Sequence, residues 1–290
     1  METIHTVQWM KEFAREALVN ERPLGLVPTM GALHEGHFSL VRQAKTQCSP
    51  VVVSIFVNPK QFGPAEDLKK YPKSLQSDRD ALADLGVDIL FAPSVEEMYP
   101  AGFSTSVTVK GLSDRWEGRA RPGHFDGVAT VVLKLFQIVQ PRTAFFGRKD
   151  AQQARVIEHM VADLNLDTQI DLCPIVREPD GLALSSRNVY LSPDDRLAAT
   201  AISRTLAACK EKIESGERDV ERLLAIMRDK LEAEPRLTID YVEIVDAVTF
   251  EPLRAIRGNC YALIAAKAGG TRLIDNAYIE PDHEDFRVLI

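Results

Sequence analysis

Nowhere do 18 or so apolar residues follow one another in this chain, so no stretch has the length and apolarity of a membrane-spanning helix. Cysteine is scarce: Cys48, Cys173, Cys209 and Cys260 lie far apart and form no Cys-x-x-Cys pair. That excludes a zinc ribbon and a disulfide framework and leaves buried thiols of a reducing compartment. Basic residues are outnumbered, 35 Lys and Arg against 42 Asp and Glu, for a formal net charge of −7. An acidic chain has no general nucleic-acid surface, although a local basic site inside it is allowed. Met1 to Lys11 lacks the basic start and apolar run of a signal peptide, and repeats and low-complexity tracts are absent. The expectation is a soluble cytoplasmic protein with neither membrane nor nucleic acid as partner. What is present is a 45% hydrophobic composition over 290 residues, enough for one large core or two modest ones; two domains are expected.

The stretch from Gly25 to Val41 organises the rest. Gly25-Leu26-Val27-Pro28-Thr29 reads as an apolar strand, Met30-Gly31-Ala32-Leu33 as a turn, and a helix is expected to begin near His37 and run through Leu40, Val41 and Ala44. His34 and His37, with Gly36 between them, are thereby delivered to a helix N-terminus, where free N–H groups and the helix dipole attract phosphate. Gly36 has no Cβ to block close approach. The bland alternative is that Gly31 and Gly36 only shape a turn and the histidines are solvated. Zinc is a weaker rival, because the spacing differs from His-Glu-x-x-His and no nearby Cys or His completes a ligand set.

Along the chain, Thr6 to Leu18 has helical spacing, and Val51 to Val57 is the continuous β-branched run of a strand covered on both faces. It breaks at Asn58-Pro59-Lys60-Gln61, leaving two amides at a strand's carboxyl end, where open α/β sheets bind ligands. Asn58 before Pro is by default a turn cap; Gln61 has no such local preference. Ala65 to Leu75, with Tyr71-Pro72, reads as a mobile flap, Val87 to Phe91 as a strand, and the alternating Thr105 to Val109 as an edge strand. Arg115, Arg119, Arg121 and His124 crowd a loop before the helical run Val128 to Val139; anion handling and plain solvation both fit them. Thr143 to Phe146 is a short strand ending in Gly147-Arg148-Lys149-Asp150, which turns into a helix from Ala151 to Leu164 and places Gln153 one turn along it. A further strand at Thr168 to Leu172 precedes a loop in which Ser185, Ser186 and Arg187 fall together, a set able to wrap a triphosphate. Ser185 as a helix cap with Arg187 solvated is the rival, but Ser192-Pro193-Asp194-Asp195 is the clearer helix start. Helices at 193–215 and 220–233, then strands at 239–245, 261–267 and 273–279, mark a separate α+β domain beginning between Pro174 and Ser192.

Four ordered motifs, Pro28 to His37, Phe56 to Gly63, Gly147 to Gln153 and Asp180 to Asn188, resemble the pantothenate synthetase (pantoate–β-alanine ligase) family within the nucleotidyltransferase superfamily. The resemblance implies an α/β fold: a Rossmann-like parallel sheet over 1–176 that binds ATP and pantoate, then a smaller α+β domain over 177–290 that covers the active site. It implies ligation of pantoate and β-alanine through a pantoyl adenylate, with ATP as substrate, Mg²⁺ and a homodimer. By position, His34 and His37 match the phosphate-contacting pair, with His37 the usual proton donor, and Gln61 and Gln153 match the pantoate-binding amides, beside Asn58. Lys149, Ser185, Ser186 and Arg187 match phosphate contacts, while Met30, Gly31, Gly36, Gly147, Arg148, Asp150, Val176 and Leu184 line the ATP site. At its helix N-terminus His37 is expected to be a neutral ring that donates a hydrogen bond. Arg148 and Ala151 stand where the family commonly has Glu and an aromatic. Another nucleotidyltransferase that stops at the adduct, or a non-catalytic nucleotide-binding protein, is the alternative.

Overall fold

The computed structural model describes residues 1–63, 74–282 and 285–290. The expected flap lies outside the described residues from 65 to 73. Two compact units make up the chain: Met1–Arg148 with Gln152–Pro174, and Lys149–Ala151 with Ile175–Ile290. Lys149, Asp150 and Val176, on the first side of the boundary expected at 176, therefore group with the second unit.

The first unit opens with β1 (Glu2–Ile4), α1 (Val7–Val19), β2 (Gly25–Thr29), α2 (Glu35–Gln47), β3 (Val51–Ile55), α3 (Leu75–Asp84) and β4 (Ile89–Phe91). It continues through α4 (Val95–Met98), α5 (Glu117–Ala120), α6 (His124–Val139), β5 (Thr143–Gly147), α7 (Ala151–Asp163) and β6 (Gln169–Cys173). The strands form one parallel six-stranded sheet in the order β1-β4-β3-β2-β5-β6. Val51, Val52 and Val53 are fully buried, as a strand covered on both faces requires. Strand order runs outward from β2 to β4 on one side and from β5 to β6 on the other, so β2 and β5 flank the switch point. They pair only at Gly25–Thr143 and Leu26–Ala144, and their carboxyl ends are not bonded to each other.

Two expectations change here. No strand forms over Thr105 to Val109, because the Val107 N–H donates to the Thr130 hydroxyl on α6 at 2.9 Å in place of a strand ladder. The helix expected from Val128 begins at His124, and α6 is core along most of its length.

In the second unit α8 (Pro193–Glu214) and α9 (Val220–Glu232) precede β7 (Leu237–Asp246), β8 (Cys260–Ala268), β9 (Thr271–Asp282) and β10 (Asp285–Leu289). These strands make an antiparallel sheet in the order β10-β9-β8-β7. The Ser192 side chain accepts the Asp195 N–H and Pro193 occupies the first helical position, the start expected for α8. Ile202, Leu206, Met227 and Leu231 from the helices share a core with Val242, Ile264, Leu273 and Ile279 from the sheet.

Candidate active site

After β2 the chain turns through Gly31 at φ 83° and Ala32 at φ 52° before entering α2. Ala32 is not glycine, so its left-handed conformation is strained and must be held from outside. Asp78 on α3 does this: its buried carboxylate accepts the N–H of Ala32 and of Leu33, each at 2.9 Å, and the Ser74 hydroxyl at 3.0 Å.

Helix α2 begins at Glu35, two residues before the expected start, which makes His34 its N-cap. His34 Nδ1 accepts the Gly36 N–H at 3.1 Å, and His37 Nδ1 accepts the His34 N–H at 3.3 Å. A ring nitrogen that accepts carries no proton, so each neutral ring holds its proton on Nε2. The two rings lie 4.2 Å apart between centroids. The turn thus places both rings, protonated on Nε2, at the N-terminus of a helix.

At the carboxyl end of β3, Asn58 caps the short helical turn Pro59–Gln61 by accepting the Lys60 N–H at 3.2 Å. Its Nδ2 donates to Gln61 Oε1 and to the Gly127 carbonyl, both at 3.0 Å, and its Oδ1 accepts the Tyr99 hydroxyl at 2.8 Å. Burial pushes the Tyr99 phenol well above its ordinary value, which keeps it a donor. Gln61 Nε2 lies 3.1 Å from Met30 Sδ. The Gln61 carbonyl accepts from His124 Nδ1 at 2.8 Å and Arg121 Nη2 at 3.4 Å, and Arg121 Nη1 is 3.0 Å from His124 Nε2. Two members of the basic loop therefore hold the backbone of Gln61. Gly127 is required beneath it, since a Cβ there would sit 2.3 Å from the Lys60 carbonyl oxygen.

Gln153 is half-buried on α7. Its neighbour Gln152, which nothing in the sequence singles out, is buried and bonds to the Leu112 carbonyl at 2.7 Å, the Arg115 carbonyl at 2.9 Å and the Glu117 N–H at 3.0 Å. It braces the loop that carries the arginines.

In the second unit, Lys149 and Asp150 sit in the single helical turn Arg148–Asp150 that follows Gly147. Ser185 caps the short helix Ser186–Tyr190 by accepting the Arg187 N–H at 3.2 Å, so the capping alternative holds for this hydroxyl, whose own proton is still available to donate. Ser186 and Arg187 are half-buried at that helix's start. Val176 and Leu184 meet through a backbone bond of 3.0 Å.

Among the described residues no three His, Cys, Asp or Glu side chains are placed to share a metal ion. A magnesium ion chelated by nucleotide phosphates needs at most one or two protein carboxylates, and this donor set fits that form of the ion. Asp78 is already committed to backbone N–H groups. What the two units hold, each by itself, is a set of neutral donors and cations suited to a polyanion.

Comparison with known proteins agrees in kind. A family model described as Pantoate-beta-alanine ligase matches residues 2–278. A pantothenate synthetase of Pelotomaculum thermopropionicum is 53% identical over 275 residues, covering 95% of this chain and 98% of its own. One from Heliobacterium modesticaldum is 52% identical over 97% of this chain and 100% of its own. The crystal structure of pantothenate synthetase from Thermus thermophilus superposes with a TM-score of 0.90 at 47% identity, covering 95% of this chain and 98% of its own. A Francisella tularensis pantoate-beta-alanine ligase, solved with βγ-ATP and β-alanine, gives 0.77 at 36% identity over 95% of this chain and 97% of its own.

Proposed function

Because the chain belongs to the pantoate–β-alanine ligase family, we propose that it joins pantoate to β-alanine with cleavage of ATP to AMP and pyrophosphate. A carboxylate oxygen of pantoate attacks the α-phosphorus, and the bond from that phosphorus to the β-phosphate's bridging oxygen breaks to release pyrophosphate. The amine of β-alanine then attacks the acyl carbon of the enzyme-bound adenylate, the acyl–oxygen bond breaks to release AMP, and the amine gives up a proton.

The observation that carries this reading is the histidine pair at the start of α2, each ring's Nδ1 accepting a backbone N–H and its proton therefore on Nε2. Negative charge spreads over the phosphoryl group during in-line attack, so fixed donors aimed at it lower the barrier. His34 and His37 supply neutral donors, and His37 acts as a hydrogen-bond donor more than as a general acid. Lys149 and Arg187 supply positive charge, assisted by Ser185 and Ser186. Met30, Gly31, Gly36, Gly147, Arg148, Asp150, Val176 and Leu184 line the nucleotide, and Gln61 and Gln153, with Asn58 behind Gln61, hold pantoate. Magnesium enters with ATP as part of the substrate. The homodimer rests on the family resemblance and is tested by sedimentation; four free cysteines fit a reducing, cytoplasmic setting.

The test is AMP release by the purified protein with MgATP and pantoate, with and without β-alanine. Sustained AMP formation only with both substrates supports the ligase. Pyrophosphate release without regard to pantoate, or no turnover, supports one of the alternatives instead.

A further inference from the structure

Asp275 and Asn276 are consecutive in the middle of β9, so their side chains leave opposite faces of the sheet. Both are almost wholly buried, at 4% and 2% exposure. Polar residues inside a strand are costly unless partnered, and apolar ones of similar volume are often as stable or better. Their partners are informative.

On the face shared with Leu273, Ala277 and Ile279, Asp275 takes a two-pronged ion pair from Arg177, with Nη1 2.7 Å from Oδ2 and Nη2 2.9 Å from Oδ1. Arg177 Nη1 also donates to the Gly181 carbonyl at 3.0 Å. The hairpin that Arg177 opens is closed by its bridge to Ala183 and by the Leu184 N–H bond to Val176, and it leads directly into Ser185, Ser186 and Arg187. On the opposite face, Asn276 Nδ2 donates to the Lys149 carbonyl at 2.9 Å. That contact is 127 residues distant in sequence, and Lys149–Ala151 group with this unit.

We propose that Asn276 is a positioning residue for Lys149, set in register with the Ser185–Arg187 loop by the Asp275–Arg177 pair at the adjacent strand position. One dipeptide of β9 thereby holds both cationic groups of the nucleotide site from the C-terminal unit. The proposal rests on the reading of Lys149 and Arg187 as phosphate-binding groups. On this reading Asn276 acts on the nucleotide site through Lys149, so its effect on turnover is expected only while the lysine is present.

A double-mutant cycle over Asn276→Ala and Lys149→Ala tests this in the full-length protein, reading kcat, pantoate KM and the MgATP dissociation constant by calorimetry. In the parent background Asn276→Ala is expected to lower kcat about tenfold, the effect of one lost buried hydrogen bond, with pantoate KM unchanged within about twofold. In the Lys149→Ala background the same change should have less than about a twofold effect. An equal loss in both backgrounds, or none in the parent, overturns the proposal. Asn276→Asp, of the same shape but without the donor, replaces the alanine variant in the cycle if that variant does not fold. Should the parent protein show no pantoate-dependent turnover, the ligase reading fails by itself, and coupling in the MgATP dissociation constant still decides whether Asn276 acts through Lys149.

Discussion

A histidine whose Nδ1 caps a helix has one tautomer left when neutral, and here two of them face a helix start together. His37→Ala removes both the donor we assign to phosphate and the acceptor of the His34 N–H. It should lower kcat by about 10² or more and stability by about 1 kcal/mol, checked by steady-state kinetics and urea unfolding on one preparation. Unchanged turnover with lowered stability would make the ring a cap alone. The pair was readable from the sequence because the bonds that set each ring's tautomer lie within three residues, although the turn before them is held by Asp78 from α3. Gln61 stood out in the sequence as an amide beyond a strand's end; its bond to Asn58 is local, but its contacts with Met30, Arg121 and His124 are not. Tyr99 was not: it reaches Asn58 across 41 residues, and nothing in the pattern around it marks that contact. Gln152 shows the complementary difficulty, since two adjacent glutamines on one helix look alike until their burial is known.

Elements are held to one another by a few polar contacts that local pattern does not reveal. Asp78 fastens α3 to the turn before α2, and Asp78→Ala would leave two backbone N–H groups without acceptors beneath a strained Ala32. Unfolding free energy should fall by about 2–3 kcal/mol and kcat should fall with it, because the histidines lose their fixed turn; calorimetric melting and kinetics measure both. Gly127 plays a matching part between α6 and the Pro59–Gln61 turn. Gly127→Ala drives a methyl into the Lys60 carbonyl and should destabilise by about 1–3 kcal/mol while raising pantoate KM more than that of ATP, as separate substrate titrations would show. The helical spacing of α1, the cap of α8 and the continuous β-branched run of β3 were enough to place those elements. The alternation over Thr105 to Val109 misled because a hydroxyl on α6 takes the donor a strand would have used, and β1, at three residues, is too short to show a period.

For the molecule as a whole, all four thiols are buried. Burial raises Cys173, Cys209 and Cys260 to about 12 from an ordinary 9.0, and raises Cys48 as well. The folded state therefore keeps these protons more tightly than the unfolded state. Their contribution to stability is complete below about pH 9 and is lost as pH climbs from there toward 12. Urea midpoints measured from pH 7 to 11 should be level up to about 9 and then decline, and iodoacetamide should label the thiols only after unfolding; labelling of the native protein at pH 8 would contradict the burial. The parallel α/β half and the α+β half were each visible in the order of elements. That Lys149 groups with the second was not, because its hydrogen-bonding partner there, Asn276, lies 127 positions away. The histidine caps have a last consequence, for lineages. A descendant of this chain that lost its substrate would still be penalised for losing either ring, since α2 would lose an end contact. In a diverged relative the His-x-Gly-His signature is therefore weak testimony to surviving activity, and the lysine after β5, whose side chain caps no helix among the described residues, is the better witness.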